Sequence, residues 1–200
     1  MRIIAATKNA GKIKEIESIF GELGVDVVSQ QDEGFDVDIE ETGDTFEKNA
    51  LIKARAVSLL TDDIVLADDS GLCIDALDGR PGIYSARYAG ENASDTAKIR
   101  KILTEMEHCA NRSARFVTAV AVILPDGREL TSSGEVKGEI LREPEGENGF
   151  GYDPIFYCTE LGKTFAQAAE EEKNAVSHRG RALRAMYDKL KPVLSSYKED

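Results

Sequence analysis

The sequence is poor in the residues that build disulfide frameworks and zinc sites. Its 200 residues hold three cysteines, Cys73, Cys109 and Cys158, far apart and without a CxxC pair. That pattern fits neither a disulfide scaffold nor a thiolate metal site, and it suits a reducing compartment. Only His108 and His178 are present, which argues against a histidine-based zinc centre. No apolar run approaches the ~18 residues of a membrane-spanning helix. No signal peptide is evident after Met1-Arg2, so the expectation is a cytoplasmic protein that meets no membrane. Positive charge is outnumbered, with 25 Lys and Arg against 37 Asp and Glu. The net charge of −12 excludes the broad basic surface that nucleic acid requires, so an anionic ligand must be met by a local cluster of Lys and Arg or by a metal.

What is present is the pattern of an α/β protein. Hydrophobic residues make up 42% of the chain, enough for a globular core at this length. Ile3 to Ala6 reads as a buried strand, followed by the turn Thr7-Lys8-Asn9-Ala10-Gly11. A helix follows with Ile13, Ile16, Phe20 and Leu23 on one stripe. Val25 to Val28 reads as a strand. Asp44 is the expected cap of a second helix, with Phe46, Ala50, Ala54 and Val57 facing inward. Ile64 to Ala67 reads as a buried strand ending at Asp68-Asp69-Ser70-Gly71. Ser94 caps a third helix carrying Ile99, Ile102, Leu103 and Met106. Phe116 to Leu124 is apolar enough for a central strand covered on both faces. Pro125-Asp126-Gly127 turns it back into a strand from Glu129 to Val136, with another from Val136 to Leu141. A last helix, capped by Ser177, carries Leu183, Met186 and Leu190. Strands alternating with helices around an antiparallel middle predict a mixed sheet.

Several segments carry chemistry. Thr7-Lys8-Asn9-Ala10-Gly11-Lys12 opens a helix after a strand, and free backbone N–H groups at such a corner favour a phosphate, with two lysines adding charge. It is not a Walker A loop: Ala6 and Ile13 stand where Gly and Ser or Thr are needed. Alone, it is also an ordinary strand-turn-helix corner. Asp36 to Asp44 is an acidic loop centred on Glu40-Glu41-Thr42-Gly43. Asp68 and Asp69 lie at the carboxyl end of a strand, where α/β sheets bind ligands. Adjacent strand residues point to opposite faces, so one of the two reaches a given metal while the other serves a structural role. With Glu40 or Glu41, that Asp forms an oxygen set suited to Mg²⁺. Gly79 to Tyr88 sets two aromatics and two arginines among turn formers. Gly149-Phe150-Gly151-Tyr152-Asp153-Pro154 lets Phe150 or Tyr152 stack on a flat ring, or makes a tight turn around a buried Tyr. Lys173, His178 and Arg179 gather donors within seven residues.

Taken in order, TKNAGK, EETG, ADDSGL, PGIYSARY, GFGYDPIF and EKNAVSHRG resemble the inosine triphosphate pyrophosphatase family, the non-canonical purine nucleoside triphosphate pyrophosphatases. The match runs from Thr7 to Gly180. The resemblance implies an elongated two-lobed α/β fold around a mixed sheet with a nucleotide cleft between the lobes, residues 1–200 forming one such domain, and a homodimer. It implies hydrolysis of ITP, dITP and XTP to the monophosphate and pyrophosphate. Thr7, Lys8, Asn9, Ala10, Gly11 and Lys12 would cradle the triphosphate. Glu40 and Asp69 would hold one Mg²⁺ per subunit, with Mn²⁺ as a substitute, and physics does not separate Glu40 from Glu41. Asp69 would also activate water, and Ser70 would touch the substrate. Phe150, Gly151, Tyr152, Asp153, Lys173, His178 and Arg179 would form the base and sugar pocket, with Arg179 and backbone N–H groups donating to the 6-oxo group. The rival readings are a pyrophosphatase for modified pyrimidine or other odd nucleotides, a non-catalytic nucleotide sensor, and a metal-dependent nuclease, against which the charge of −12 argues.

Overall fold

The computed structural model describes residues 2–21, 24–37 and 39–196. Leu23, expected on the stripe of the first helix, and Asp38 of the acidic loop lie outside the described residues.

Strands and helices run in the order β1 (Arg2–Ala5), α1 (Ala10–Gly21), β2 (Asp26–Ser29), α2 (Phe46–Ser58), β3 (Ile64–Ile74), α3 (Asp95–Glu105), β4 (Ser113–Ile123), β5 (Glu129–Ile140), β6 (Phe156–Cys158), β7 (Lys163–Thr164), α4 (Glu170–Val176) and α5 (His178–Ser196). Short 3₁₀ turns lie at Asp75–Leu77, Gly82–Arg87 and Asp153–Ile155. One seven-stranded sheet has the order β2-β1-β3-β4-β5-β6-β7. β1 pairs in parallel with β2 and β3, while β6 pairs antiparallel with β5 and β7. The expected mixed sheet is therefore present.

Three expectations of detail are corrected. α2 is capped by Thr45, whose hydroxyl accepts from the Lys48 N–H at 3.2 Å, and not by Asp44, whose carboxylate instead pairs with Lys48 Nζ at 2.7 Å. β3 does not end before the acidic pair. It continues through Asp68-Asp69-Ser70-Gly71 to Ile74, because those polar side chains find buried partners and need no turn. Glu129 to Ile140 is one strand, in which Ser132, Val136, Gly138 and Ile140 are buried on one face and Gly134 between them is half-buried.

The chain forms two compact units. The first comprises residues 1–69, 118–134 and 179–200. One of its cores joins Ile3, Ile16 and Phe20 to Leu66, Val120, Val122, Leu183, Met186 and Leu190. The inward stripe of α1 thus meets the stripe of α5, as i, i+3, i+4 patterning requires. A second core sets Ala50, Ala54 and Val57 of α2 against Ile4, Val65, Ala67 and Ala121. Small residues on that face let α2 approach β3, which brings its polar residues to the acidic pair. The second unit comprises residues 70–117 and 135–178. Its core joins Leu72, Ile102, Met106, Phe116, Val136, Phe156 and Phe165. Phe116, Phe156 and Phe165 pack with ring centroids 4.6 to 6.0 Å apart, the range of favourable aromatic pairs.

Candidate active site

Strand β1 delivers the chain into the Thr7–Lys12 corner. Asn9 closes it: its side-chain oxygen accepts from the N–H groups of Gly11 at 2.9 Å and Lys12 at 3.2 Å, while the Thr7 hydroxyl accepts from the Asn9 N–H at 3.2 Å. Asn9 is thus the N-cap of α1. Three of the N–H groups expected to be open to a phosphate, those of Asn9, Gly11 and Lys12, are bonded within the corner. Lys8 pairs with Asp36 at 2.9 Å and is well exposed, so that contact is weak. Lys12 turns inward and places its ammonium 3.1 Å from Asp68 Oδ2.

The acidic pair on β3 divides as strand alternation requires. Asp68 takes Lys12 and, at 3.1 Å, the Arg179 Nε. Asp69 takes the Asn49 side-chain amide at 3.1 Å and lies 3.7 Å from Lys53 Nζ. Both aspartates are buried, yet their proton affinities move in opposite directions. For Asp68, burial would raise the pKa, but Lys12, Arg179 and Lys53 outweigh it and hold the carboxyl well below the usual carboxylate range. For Asp69, burial prevails, reinforced by the nearby charge of Glu41, and the pKa rises despite Lys53. Two adjacent carboxylates thus acquire different duties. Asp68 is a fixed anion, whereas Asp69 is the one made more basic.

The structure also distinguishes the two glutamates of the acidic loop. Glu40 is exposed. Glu41 is half-buried and accepts from Lys53 Nζ at 2.8 Å, so one ammonium bridges Glu41 and Asp69. Gly43 fixes the loop: its N–H donates to Asn49 at 2.8 Å, and a Cβ there would come 2.6 Å from the same oxygen. Lys53 has its pKa raised, since Asp69, Asp68 and Glu41 overcome the cost of burial. Among the described residues, no group of three or more His, Cys, Asp or Glu side chains is arranged to hold a metal. Two converging carboxylates nevertheless fit Mg²⁺, which commonly takes one or two protein carboxylates and fills its octahedron with water and substrate phosphates. That a cationic ammonium already stands between Glu41 and Asp69 shows the spot to be favourable for positive charge.

In the second unit, the GFGYDP segment winds around Asp153. The Asp153 Oδ2 accepts from the Phe150 N–H at 2.9 Å and from Lys173 Nζ at 2.8 Å. Gly149 is required here, because its φ is +77° and a Cβ would fall 2.1 Å from that oxygen. Lys173 lies 4.7 Å from the centre of the Phe150 ring and 5.6 Å from that of Phe165, a cation held by two aromatic faces. The Gly151 N–H donates to Asp95 at 2.7 Å. Tyr152 is buried, with its hydroxyl donating to the Ser85 carbonyl at 2.8 Å, while Phe150 is half-buried. Of the two aromatics, Phe150 is the one with an accessible ring. His178 is buried and stacks on Phe116 at 4.7 Å and 12°.

The PGIYSARY segment is a packed support for its neighbours. The Ser85 hydroxyl accepts from the Leu72 N–H at 2.9 Å and donates to the Gly82 carbonyl at 2.6 Å. The Gly82–Arg87 turn lies so close to β3 that a Cβ on Gly71 would come 2.2 Å from the Gly82 carbonyl oxygen. Ser70, just before Gly71, is half-buried on the same strand.

Sequence reasoning missed Asn49, Lys53 and Glu15. The first two sit four residues apart on α2, on the face that carries buried Ala50, Ala54 and Val57. A polar pair at i, i+4 beside an apolar stripe was the available signal. Glu15, buried on α1, contacts the Arg179 guanidinium.

The sequence model of the Ham1 family matches residues 3–189. This chain belongs to the Ham1 family. Among curated proteins, Ham1-family similarity is high over nearly the whole length. The dITP/XTP pyrophosphatase of Bacillus subtilis is 50% identical over 185 residues, covering 92% of this chain and 93% of that protein. The dITP/XTP pyrophosphatase of Bacillus anthracis is 48% identical over 193 residues, covering 94% and 96%. Among solved structures, the Ham1 protein of Staphylococcus aureus superposes with a TM-score of 0.86 at 44% identity, covering 96% of this chain and 99% of the other. The HAM1 protein of Coxiella burnetii gives 0.87 at 43% identity, covering 96% and 99%.

Proposed function

We propose that this Ham1-family chain hydrolyses the non-canonical purine nucleoside triphosphates ITP, dITP and XTP. The products are the nucleoside monophosphate and pyrophosphate, and the effect is to remove deaminated purines from the nucleotide pool. The observation that supports this reading best is buried Asp69, made more basic and bridged to Glu41 by Lys53, in a chain half identical to proteins named dITP/XTP pyrophosphatase.

Asp69 and Glu41 would hold the Mg²⁺ in this reading, and Mn²⁺ would fit the same oxygens. When bound, the metal neutralises charge on the phosphate oxygens and makes a coordinated water more acidic. Asp69 accepts the proton of the attacking water. Its raised pKa strengthens it as a base, and the Asn49 amide at 3.1 Å fixes its carboxylate in place. Lys12 and Lys53 supply positive charge for the triphosphate, joined by Lys8 and by the remaining groups of the corner, Thr7, Asn9, Ala10 and Gly11. Ser70 contacts the phosphates next to Asp69. Phe150 stacks on the base, Gly151 allows the ring to approach, and Tyr152 and Asp153 shape the turn from beneath. Lys173, His178 and Arg179 complete the base and sugar pocket. Donors facing the 6-oxo group of hypoxanthine and xanthine would be left unpaired by the 6-amino group of adenine, at about 1–3 kcal/mol each.

The chain acts in this proposal as one catalytic domain over residues 1–200, assembled as a homodimer in the cytoplasm. The test is incubation of the protein and Mg²⁺ with ITP, XTP, dITP, GTP, ATP and CTP, followed by assay of monophosphate and pyrophosphate. Release of pyrophosphate from ITP, dITP and XTP well above that from ATP and GTP is expected. Equal turnover of all six would remove the purine selectivity. Tight ITP binding without turnover would replace the enzyme by a nucleotide sensor.

A further inference from the structure

Glu15 plays no part in the chemistry above, yet it is a carboxylate buried on the inner face of α1. It pairs with the guanidinium of Arg179, itself almost wholly buried. Arg179 bonds Asp68 Oδ2 through its Nε, and the same oxygen takes the Lys12 ammonium, each at 3.1 Å. Lys12 and Glu15 lie one turn apart on α1, Asp68 is on β3, and Arg179 opens α5. The four side chains therefore close a ring that leaves α1 at Lys12 and returns to it at Glu15. The ring holds two cations and two anions, so its charge sums to zero out of water.

We propose that Glu15 is a positioning residue, which holds Arg179 away from the second oxygen of Asp68 and so keeps Lys12 anchored and aimed for the triphosphate. The inference rests on the role given to Lys12 above. Asp68 Oδ1 is buried and has no hydrogen-bond partner among the described residues. A guanidinium prefers to engage a carboxylate with two parallel N–H groups. While Glu15 occupies one side of Arg179, only the Nε reaches Asp68. Without the Glu15 charge, Arg179 would turn onto both oxygens of Asp68. Lys12 would then lose its share of Oδ2, and its ammonium would no longer be fixed at the helix start.

The experiment is a double-mutant cycle on the full chain with Mg²⁺ and ITP, comparing Glu15→Gln, Lys12→Met and the pair, with thermal unfolding measured on each. Glu15→Gln should raise KM for ITP roughly tenfold, the effect of weakening one charged hydrogen bond, while kcat changes less than about threefold. In the Lys12→Met background the same substitution should add less than about twofold, because it acts through Lys12. Should Glu15→Gln fail to fold, Glu15→Asp, which keeps the charge on a shorter stem, carries the cycle instead with a smaller rise in KM. Effects that multiply in the double variant, or a lowered melting temperature with unchanged KM, would overturn the inference. An unchanged KM in Lys12→Met alone would instead remove Lys12 from the proposed site, a separate failure.

Discussion

The two glutamates of the acidic loop offer the sharpest test of the metal site. Glu41 Oε1 lies 2.8 Å and Asp69 Oδ1 3.7 Å from one Lys53 nitrogen. Those distances limit the separation of the two oxygens to at most about 6.5 Å, where like charges repel by about 2–3 kcal/mol at an effective dielectric of about 20. That repulsion is tolerable only while a cation stands between them, which is the condition a divalent metal would satisfy better than an ammonium. Glu41→Gln removes one charged ligand and should raise the Mg²⁺ concentration for half-maximal ITP hydrolysis at least tenfold, a loss of about 1.4 kcal/mol or more. It also removes a like charge from Asp69 and leaves Lys53 to that carboxylate alone. Both changes lower the Asp69 pKa, so the acid limb of kcat/KM should move to lower pH, by about two units on the Coulomb figure. Glu40→Gln, at an exposed position, should leave both quantities within about twofold of the parent, as surface substitutions usually do. Magnesium titrations at fixed ITP, with pH profiles on all three proteins, decide the matter. Equal damage from Glu40→Gln and Glu41→Gln would refute the assignment of the ligand from the Lys53 bridge.

Other perturbations probe the same arrangement from different sides. Asp69→Asn should reduce kcat for ITP by about 10²-fold or more, the usual worth of a general base, while nucleotide affinity measured by calorimetry largely survives. Lys53→Met should shift the acid limb of kcat/KM upward, opposite to Glu41→Gln, because Lys53 lowers the Asp69 pKa; a downward shift would contradict the electrostatic reading. Asp68→Asn leaves two buried cations short of an anion and should cost about 3–5 kcal/mol at pH 7 by urea denaturation. Since the folded pKa of Asp68 is depressed, its contribution is present above the unfolded value of ~3.9 and fades as pH falls towards the lower folded value; the gap between parent and variant should therefore narrow below about pH 4. Gly71→Ala would set a Cβ 2.2 Å from the Gly82 carbonyl oxygen and should lower stability by about 1–3 kcal/mol, read as a drop in melting temperature.

The elements most legible in the sequence were those whose period matched their burial. The α5 stripe of Leu183, Met186 and Leu190 and the β4 run from Phe116 announced the cores in which they lie. Boundaries set by polar side chains were less legible. Asp68-Asp69-Ser70-Gly71 reads as a strand end because two carboxylates beside a Gly suggest a turn, and only the partners on α1, α2 and α5 explain how a strand runs through them. Those partners stand 20 to 111 residues away in sequence, beyond the reach of any local pattern. The sequence left Glu40 and Glu41 unseparated for the same reason, since adjacent identical residues differ only in which way the loop turns them. Alternation did predict that Asp68 and Asp69 would divide their duties. It could not say which one the cations would claim, and that depends on charge counted around each carboxylate. Lys12, Arg179 and Lys53 overcome burial at Asp68, while Glu41 reinforces it at Asp69. One step along a strand thus separates a carboxylate whose charge the surrounding cations fix from one that burial makes more basic, and the positions of three cations and one further carboxylate decide between them.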